Sequence, residues 1–103
     1  MKKIFTVCTI SIETPEPSMD GFFSTRTVGW YSSKKDAEDC VLNNYGDIYE
    51  DGCYQYATIE EVHEGLYPFV EKSWWFKWDK EKGSYQPIDK PEAYNHISNF
   101  SIG

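Results

Sequence analysis

The chain has 103 residues, ten basic and 17 acidic side chains for a formal net charge of −7, and an aromatic content of 17%. The aromatic content argues against intrinsic disorder, because each ring buries a large area and few rings are needed to form a core. The excess of acid disfavours binding to the phosphates of nucleic acids. No stretch is long and apolar enough to span a membrane, which predicts a soluble cytoplasmic protein.

The sequence carries no recognisable catalytic or metal-binding motif. Cys8, Cys40 and Cys53 are odd in number and lack C-x-x-C spacing, which argues against a disulfide framework or a zinc site and predicts reduced thiols. His63 and His96 are far apart in sequence. A nucleophile elbow and a glycine-rich phosphate loop are also absent from the sequence. We therefore expect a protein that is not an enzyme and uses no metal or cofactor.

The chain begins with a predicted β-hairpin. Residues 3–12 and 22–31 are rich in β-branched and aromatic side chains, as strands are. Two prolines and a glycine mark residues 13–21 between them as a loop.

A helix is predicted over residues 34–44. Ser33, with Asp36 three residues later, resembles a capping box in which Asp replaces the usual Glu. Apolar residues then recur at helical spacing from Ala37 onward, and Gly46 suits the position just past the helix end.

Three further strands are predicted after the helix. In the most regular of them, Trp74, Phe76 and Trp78 alternate with Trp75, so the three share the face under the helix and Trp75 lies on the other. Pro87 marks the last strand as an edge or its end. These strands span residues 53–62, 73–79 and 84–88, with a turn at 80–83.

The predicted order β-β-α-β-β-β indicates an α+β fold, an antiparallel sheet of about five strands with one helix packed on a face. The length allows one domain, residues 1–103. Its tail, residues 90–103, is expected to be partly irregular.

Ten acidic residues lie between positions 36 and 71, a stretch without Lys or Arg that contributes −10, while the rest of the chain contributes +3. A fold that gathers such charges on one face repels nucleic acid and attracts basic protein surfaces. Six of these acids lie on the predicted helix and the following loop, and they are the candidate partner-binding residues: Asp36, Glu38, Asp39, Asp47, Glu50 and Asp51.

The acidic segment has two interpretations. Its acids either keep a small aromatic-rich protein soluble, or they imitate duplex DNA, which presents one charge per roughly 1.7 Å of axis. The absence of basic residues favours the second, since solubilising surfaces usually mix both signs. The loop around Asp47 lacks the central glycine and terminal Glu of an EF-hand, so a calcium site is not indicated.

A second candidate site is aromatic. Arg26 is the only arginine, and with neighbouring rings it could clamp a phosphate and a base. An exposed Trp75 beside Lys77 could stack a base, although aromatic side chains form cores more often than ligand sites. The candidate nucleotide-binding residues are Arg26, Tyr31, Trp75, Lys77 and Tyr85.

Several segments together resemble a group of small acidic proteins from gut Firmicutes, their phages and mobile elements. The resemblance covers roughly residues 26–91 and transfers no functional residue. The segments that carry it are VGWYSSKKDAE (28–38), VLNN (41–44), YATIEEV (56–62), GLYP (65–68), WFKW (75–78), YQPI (85–88) and Pro91.

The resemblance implies an anti-defence context, which includes CRISPR inhibitors and sponges for immune second messengers. Our leading hypothesis is a non-enzymatic inhibitor, anti-CRISPR in type, whose acidic face binds a host defence protein with a basic groove. The alternatives are a sponge for a small nucleotide and a housekeeping interaction domain. We expect a monomer or homodimer in the bacterial cytoplasm, with no direct contact to nucleic acid or membrane.

Overall fold

A computed structural model of the chain describes residues 2–12, 23–65, 70–92 and 100. The fold is α+β, as predicted: five antiparallel strands form one sheet in the order β2-β1-β3-β4-β5, and one helix packs on it. The elements are β1 Lys3–Ile12, β2 Phe23–Tyr31, α1 Lys34–Leu42, a 3-10 turn Tyr45–Asp47, β3 Tyr56–His63, β4 Val70–Asp79 and β5 Ser84–Ile88. None of the described helices is long and apolar enough to cross a membrane.

The helix covers one face of the sheet, here called the helix face, where apolar side chains from alternate strand positions form the main core. Trp74, Phe76 and Trp78 all point to this face, as their alternation predicts, and Tyr85 of β5 is fully buried among them. Burial of such rings supplies much of the stabilisation available to a chain of this size. The buried members of the core are Phe5, Val7, Ala37, Cys40, Val41, Ile48, Ala57, Ile59, Phe76 and Tyr85.

The opposite face of the sheet, here called the polar face, is also buried along its central strands β1 and β3 but differs in chemistry. Thr6, Thr58 and Glu60 lie on it beside a small apolar cluster of Ile10 and Trp75. The hydroxyl groups of Thr6 and Thr58 donate to the carbonyl oxygens of Glu60 and Trp74, at 3.4 and 3.1 Å. Hydrogen bonding to the backbone lowers the cost of burying these hydroxyls.

Serine caps the helix at the predicted residue, but the helix ends earlier than predicted. Ser33 has an extended backbone, and its Oγ accepts the N–H of Asp36 at 3.2 Å. The helix stops at Leu42, and Asn44 takes the left-handed conformation with φ 49°. The first left-handed residue after the helix is therefore Asn44, because asparagine also tolerates this conformation, and the predicted Gly46 follows with φ 62°.

The predicted strand limits need three corrections. β3 begins at Tyr56 instead of residue 53, because residues 50–53 are occupied by turns with a positive φ at Glu50, Asp51 and Gly52. β4 begins at Val70 instead of residue 73, since it pairs with β3 along almost its whole length. β2 begins at Phe23.

Three further predictions concern the edge strand, the loop after β1 and the C-terminal tail. Pro87 lies in β5 at an edge of the sheet, as predicted. The predicted loop at 13–21 lies entirely outside the described residues, and so does most of the tail at 90–103.

Candidate protein-binding surface

The three candidate acids on α1 lie on its outer side, but two of them are paired with lysines one turn earlier. Lys34 Nζ lies 2.7 Å from Glu38 Oε1, and Lys35 Nζ lies 3.1 Å from Asp39 Oδ2. The hydrogen bond to Asp39 is the main reason that the pKa of Lys35 is raised. Asp36 is exposed in the first turn of the helix. The charge of the helix surface is therefore much smaller than its acids alone indicate.

The three acids of the loop after α1 also differ from one another. Glu50 Oε1 forms an ion pair with Arg26 Nη2 at 2.8 Å, and this guanidinium lies over the Tyr54 ring at 4.5 Å. Asp47 is exposed and accepts a 3.3 Å hydrogen bond from Asn44 Nδ2. Asp51 is exposed. Within the described part of the chain, Asp36, Asp47 and Asp51 are the candidates that form no ion pair.

The acidic loop has a defined shape because its backbone is tied at several points. The N–H groups of Asp47 and Glu50 each donate to a carbonyl three residues earlier, at 3.0 Å. Ile48 is buried, and the Tyr49 ring stacks on Trp78 with 3.8 Å between centroids and 8° between planes. Asp47 and Asp51 have positive φ values of 55° and 50°, which is unusual for residues with side chains. The loop therefore holds the backbone of its acidic residues in a defined conformation.

Two exposed apolar side chains lie next to this acidic loop. Leu42 ends the helix with 36% of its surface exposed, and Tyr45 begins the next turn with 51% exposed. The last turn of the helix contains no basic residue, so the partial negative charge of its C-terminal carbonyls adds to that of Asp47. An apolar centre with charged surroundings is the usual composition of a protein-binding surface. We call Leu42, Tyr45, Asp47 and Asp51 the loop patch.

The remaining acids of the segment do not extend the loop patch. Glu60 and Glu61 lie in the middle of β3 on opposite faces, as the sequence predicts, with only 1% and 5% of their surfaces exposed. Glu64 follows the far end of β3, away from the loop. The side chain of Glu71 lies outside the described residues. The acidic segment is thus divided among a helix, a loop and the sheet interior.

Basic residues also reach the loop end of the sheet. Trp78 N–H donates to Gln55 O at 2.9 Å, which places the end of β4 beside the loop. The turn that follows carries Lys80 and Lys82, both exposed. The end of the molecule that presents the loop patch therefore carries charges of both signs.

The five candidate nucleotide-binding residues are distributed over both faces of the sheet. Trp75 and Lys77 lie on the polar face, and Trp75 is only 3% exposed, with the Phe100 ring against it at 5.3 Å. A ring buried to this extent has no free face on which a base can stack. Tyr85 lies on the helix face with its hydroxyl donated to Tyr54 O at 2.6 Å, and burial raises its pKa.

The other two members of that set lie near the helix. Tyr31 is half-buried, and a hydrogen bond with the Cys40 side chain is the main reason that its pKa is raised. Arg26 and Tyr85 both reach Tyr54, but the guanidinium already binds Glu50. The described residues thus provide no pocket that all five candidates share.

The sequence reasoning missed two features of this surface that spacing alone could have found. Lys34 and Lys35 precede Glu38 and Asp39 by four residues, the separation at which helical side chains meet. Leu42 lies next to Val41 and therefore about 100° around the helix from the buried side. The pairing of Arg26 with Glu50 joins distant segments and has no local sequence signal.

The described residues contain no group of three or more His, Cys, Asp or Glu side chains that could hold a metal ion. Comparisons of the chain with models of protein families, with curated proteins and with solved structures find no match.

Proposed function

We propose that the protein is a non-enzymatic inhibitor, encoded by a phage or mobile element, that binds a host defence protein through the loop patch. The target has a basic groove that normally holds nucleic acid, such as that of a CRISPR effector, and the inhibitor acts in the cytoplasm of the bacterial host. The observation that carries the proposal is the loop patch itself, in which exposed Leu42 and Tyr45 adjoin carboxylates on a well-defined loop backbone that form no ion pair within the described residues.

The proposed contact is smaller than the whole acidic segment. Glu38, Asp39 and Glu50 are already paired with cations of the same chain, so they add less to the external field than Asp36, Asp47 and Asp51. Apolar contact with Leu42 and Tyr45 would supply affinity, and the carboxylates would guide approach to a cationic groove. Such attraction weakens with salt, because the Debye length falls from about 10 Å at 0.1 M to about 3 Å at 1 M.

The test is capture of a target from a host lysate, with purified protein as bait at low and high salt. We expect a nucleic-acid-binding protein that is retained at low salt, released at high salt and displaced by added duplex DNA. D47K/D51K should abolish retention, because it reverses the two loop charges that form no ion pair within the described residues. The matched control E64K/D89K makes the same charge change at exposed acids outside the loop and should retain the target.

Three results would contradict the proposal. The first is retention that is insensitive to both salt and D47K/D51K, which would place the contact elsewhere. The second is a purified protein that captures no partner but releases a small nucleotide on denaturation, which would favour the sponge hypothesis and Arg26. The third is a captured protein that DNA does not displace, which would indicate a housekeeping interaction domain.

A further inference from the structure

The two edges of the sheet differ in how well they are protected from pairing with another strand. β5 is an edge strand of five residues with the exposed Pro87, which removes one backbone donor. β2, at the opposite edge, has nine residues and pairs with β1 on its inner side only. Among the described residues no strand lies outside β2, so its outer N–H and C=O groups have no sheet partner.

β2 also lacks the charged residues that usually protect an edge. It contains no Pro, Lys, Asp or Glu, and its one charge, Arg26, is paired with Glu50 on the helix face. Lys34 and Lys35, which follow the strand, are paired with Glu38 and Asp39. This margin of the molecule is therefore close to neutral, although the chain as a whole carries −7.

The regular part of β2 lies on one side of a bulge. The pairing with β1 shifts between Val7 and Cys8, so that Val28 is an extra residue on β2. Residues 23–27 then pair continuously with β1. In this part Thr25 and Thr27 are exposed on the polar face, and beyond the bulge Trp30 is 62% exposed. A bulge terminates regular pairing, so residues 23–27 are the part available to a further strand.

We infer that the outer edge of β2 pairs with the same edge of a second copy of this chain, in antiparallel orientation, to form a continuous ten-stranded sheet. A two-fold axis at Thr25 places this residue opposite its own copy, and paired threonines are favourable across antiparallel strands. The occupant is a second copy because the margin is near neutral, so the two highly charged chains can approach there without strong repulsion. The loop patch belongs to a different segment, so this inference does not depend on the proposed function.

The test is the mass of the full chain in solution, measured by sedimentation velocity from low micromolar to near-millimolar concentration. We expect the wild-type mass to rise from 12.0 kDa toward twice that value as concentration increases. T25K/T27K should remain at 12.0 kDa throughout, because T25K sets two positive charges directly opposite each other at the axis and T27K adds two more on the same face. The control E81K changes the formal charge by the same amount in the exposed turn before β5 and should dimerise like wild type.

A second measurement does not depend on the variants folding. Hydrogen exchange of the wild-type amides in residues 23–27 should slow as concentration rises, since outward-facing N–H groups become bonded in the dimer. Wild type that stays at 12.0 kDa at every concentration would overturn the inference. So would a dimer that T25K/T27K leaves intact, or one whose amide protection appears in β5 instead of β2.

Discussion

The two faces of the sheet are built from alternate residues of the same strands, yet they are buried by different means. On the helix face, rings such as Phe76 and Tyr85 fill the space under α1. On the polar face, threonines and Glu60 are buried through hydrogen bonds, and the N–H of Phe100 donates to both oxygens of the Glu60 carboxylate at 2.8 and 3.1 Å. The stability of the helix face thus depends on close packing of side chains. Burial of the polar face depends on hydrogen bonds to its polar groups.

The largest effect is expected from removing a ring on the helix face. Phe76 is 4% exposed and belongs to the main core. F76A should lower the free energy of unfolding by about 3–5 kcal/mol, because it loses buried area and leaves a cavity. Urea denaturation followed by circular dichroism measures this loss. If F76A lowered the free energy of unfolding by less than a variant on the polar face does, the helix face would not be the dominant core.

The next largest effect is expected on the polar face, at Glu60. E60A removes a carboxylate acceptor from the partly buried N–H of Phe100 and should lower the free energy of unfolding by about 1.5–3 kcal/mol. E60Q keeps one carbonyl acceptor of nearly the same shape and should cost less. Hydrogen exchange of the Phe100 amide reports the contact directly and should accelerate in E60A but not in F76A under native conditions. Equal exchange in wild type and E60A would show that the carboxylate does not hold Phe100.

A smaller effect is expected from the hydroxyl group on the helix face. Tyr85 donates to Tyr54 O at 2.6 Å, so Y85F keeps the ring and removes only this hydrogen bond. The expected cost is about 0.5–1.5 kcal/mol, measured as the difference in urea midpoints. If Y85F were to cost as much as F76A, hydrogen bonding would control the helix face as well.

The smallest effect concerns Glu61, the neighbour of Glu60 on the opposite face. The hydrogen bond from Lys3, at 2.9 Å, is the main cause that lowers the pKa of Glu61 below 4.5. A carboxyl group with a lowered pKa in the folded state contributes stability above pH 4.5, and this is lost as the pH falls through the folded pKa. E61Q should therefore lower the free energy of unfolding by about 0.2–1 kcal/mol near neutral pH, a small loss because Lys3 is half exposed. In strong acid it should cause no loss. Thermal melts of both proteins from pH 7 to pH 2 check this, and a difference that grows in acid would contradict it.

The sequence by itself determined most of the fold. Alternation placed Trp74 and Phe76 on one face and Trp75 on the other, Ser33 fixed the helix start, and Pro87 marked an edge strand. These features are local, because side-chain direction in a strand and the donors at a helix end depend on neighbouring residues only. The end of the helix was predicted two residues late because Asn44 and Gly46 both suit a left-handed backbone.

Only the tertiary structure decided how the charges are distributed. Arg26 reaches Glu50 because β2 and the loop meet in space, and Glu60 is buried because Phe100 returns to β3 from forty residues away. A stretch of ten acids and no cations therefore does not become one negative face: two carboxylates enter the sheet, and Glu50 pairs with Arg26 from a distant strand. The charge of a surface depends on which side chains meet across the fold, and a count along the chain does not contain that information.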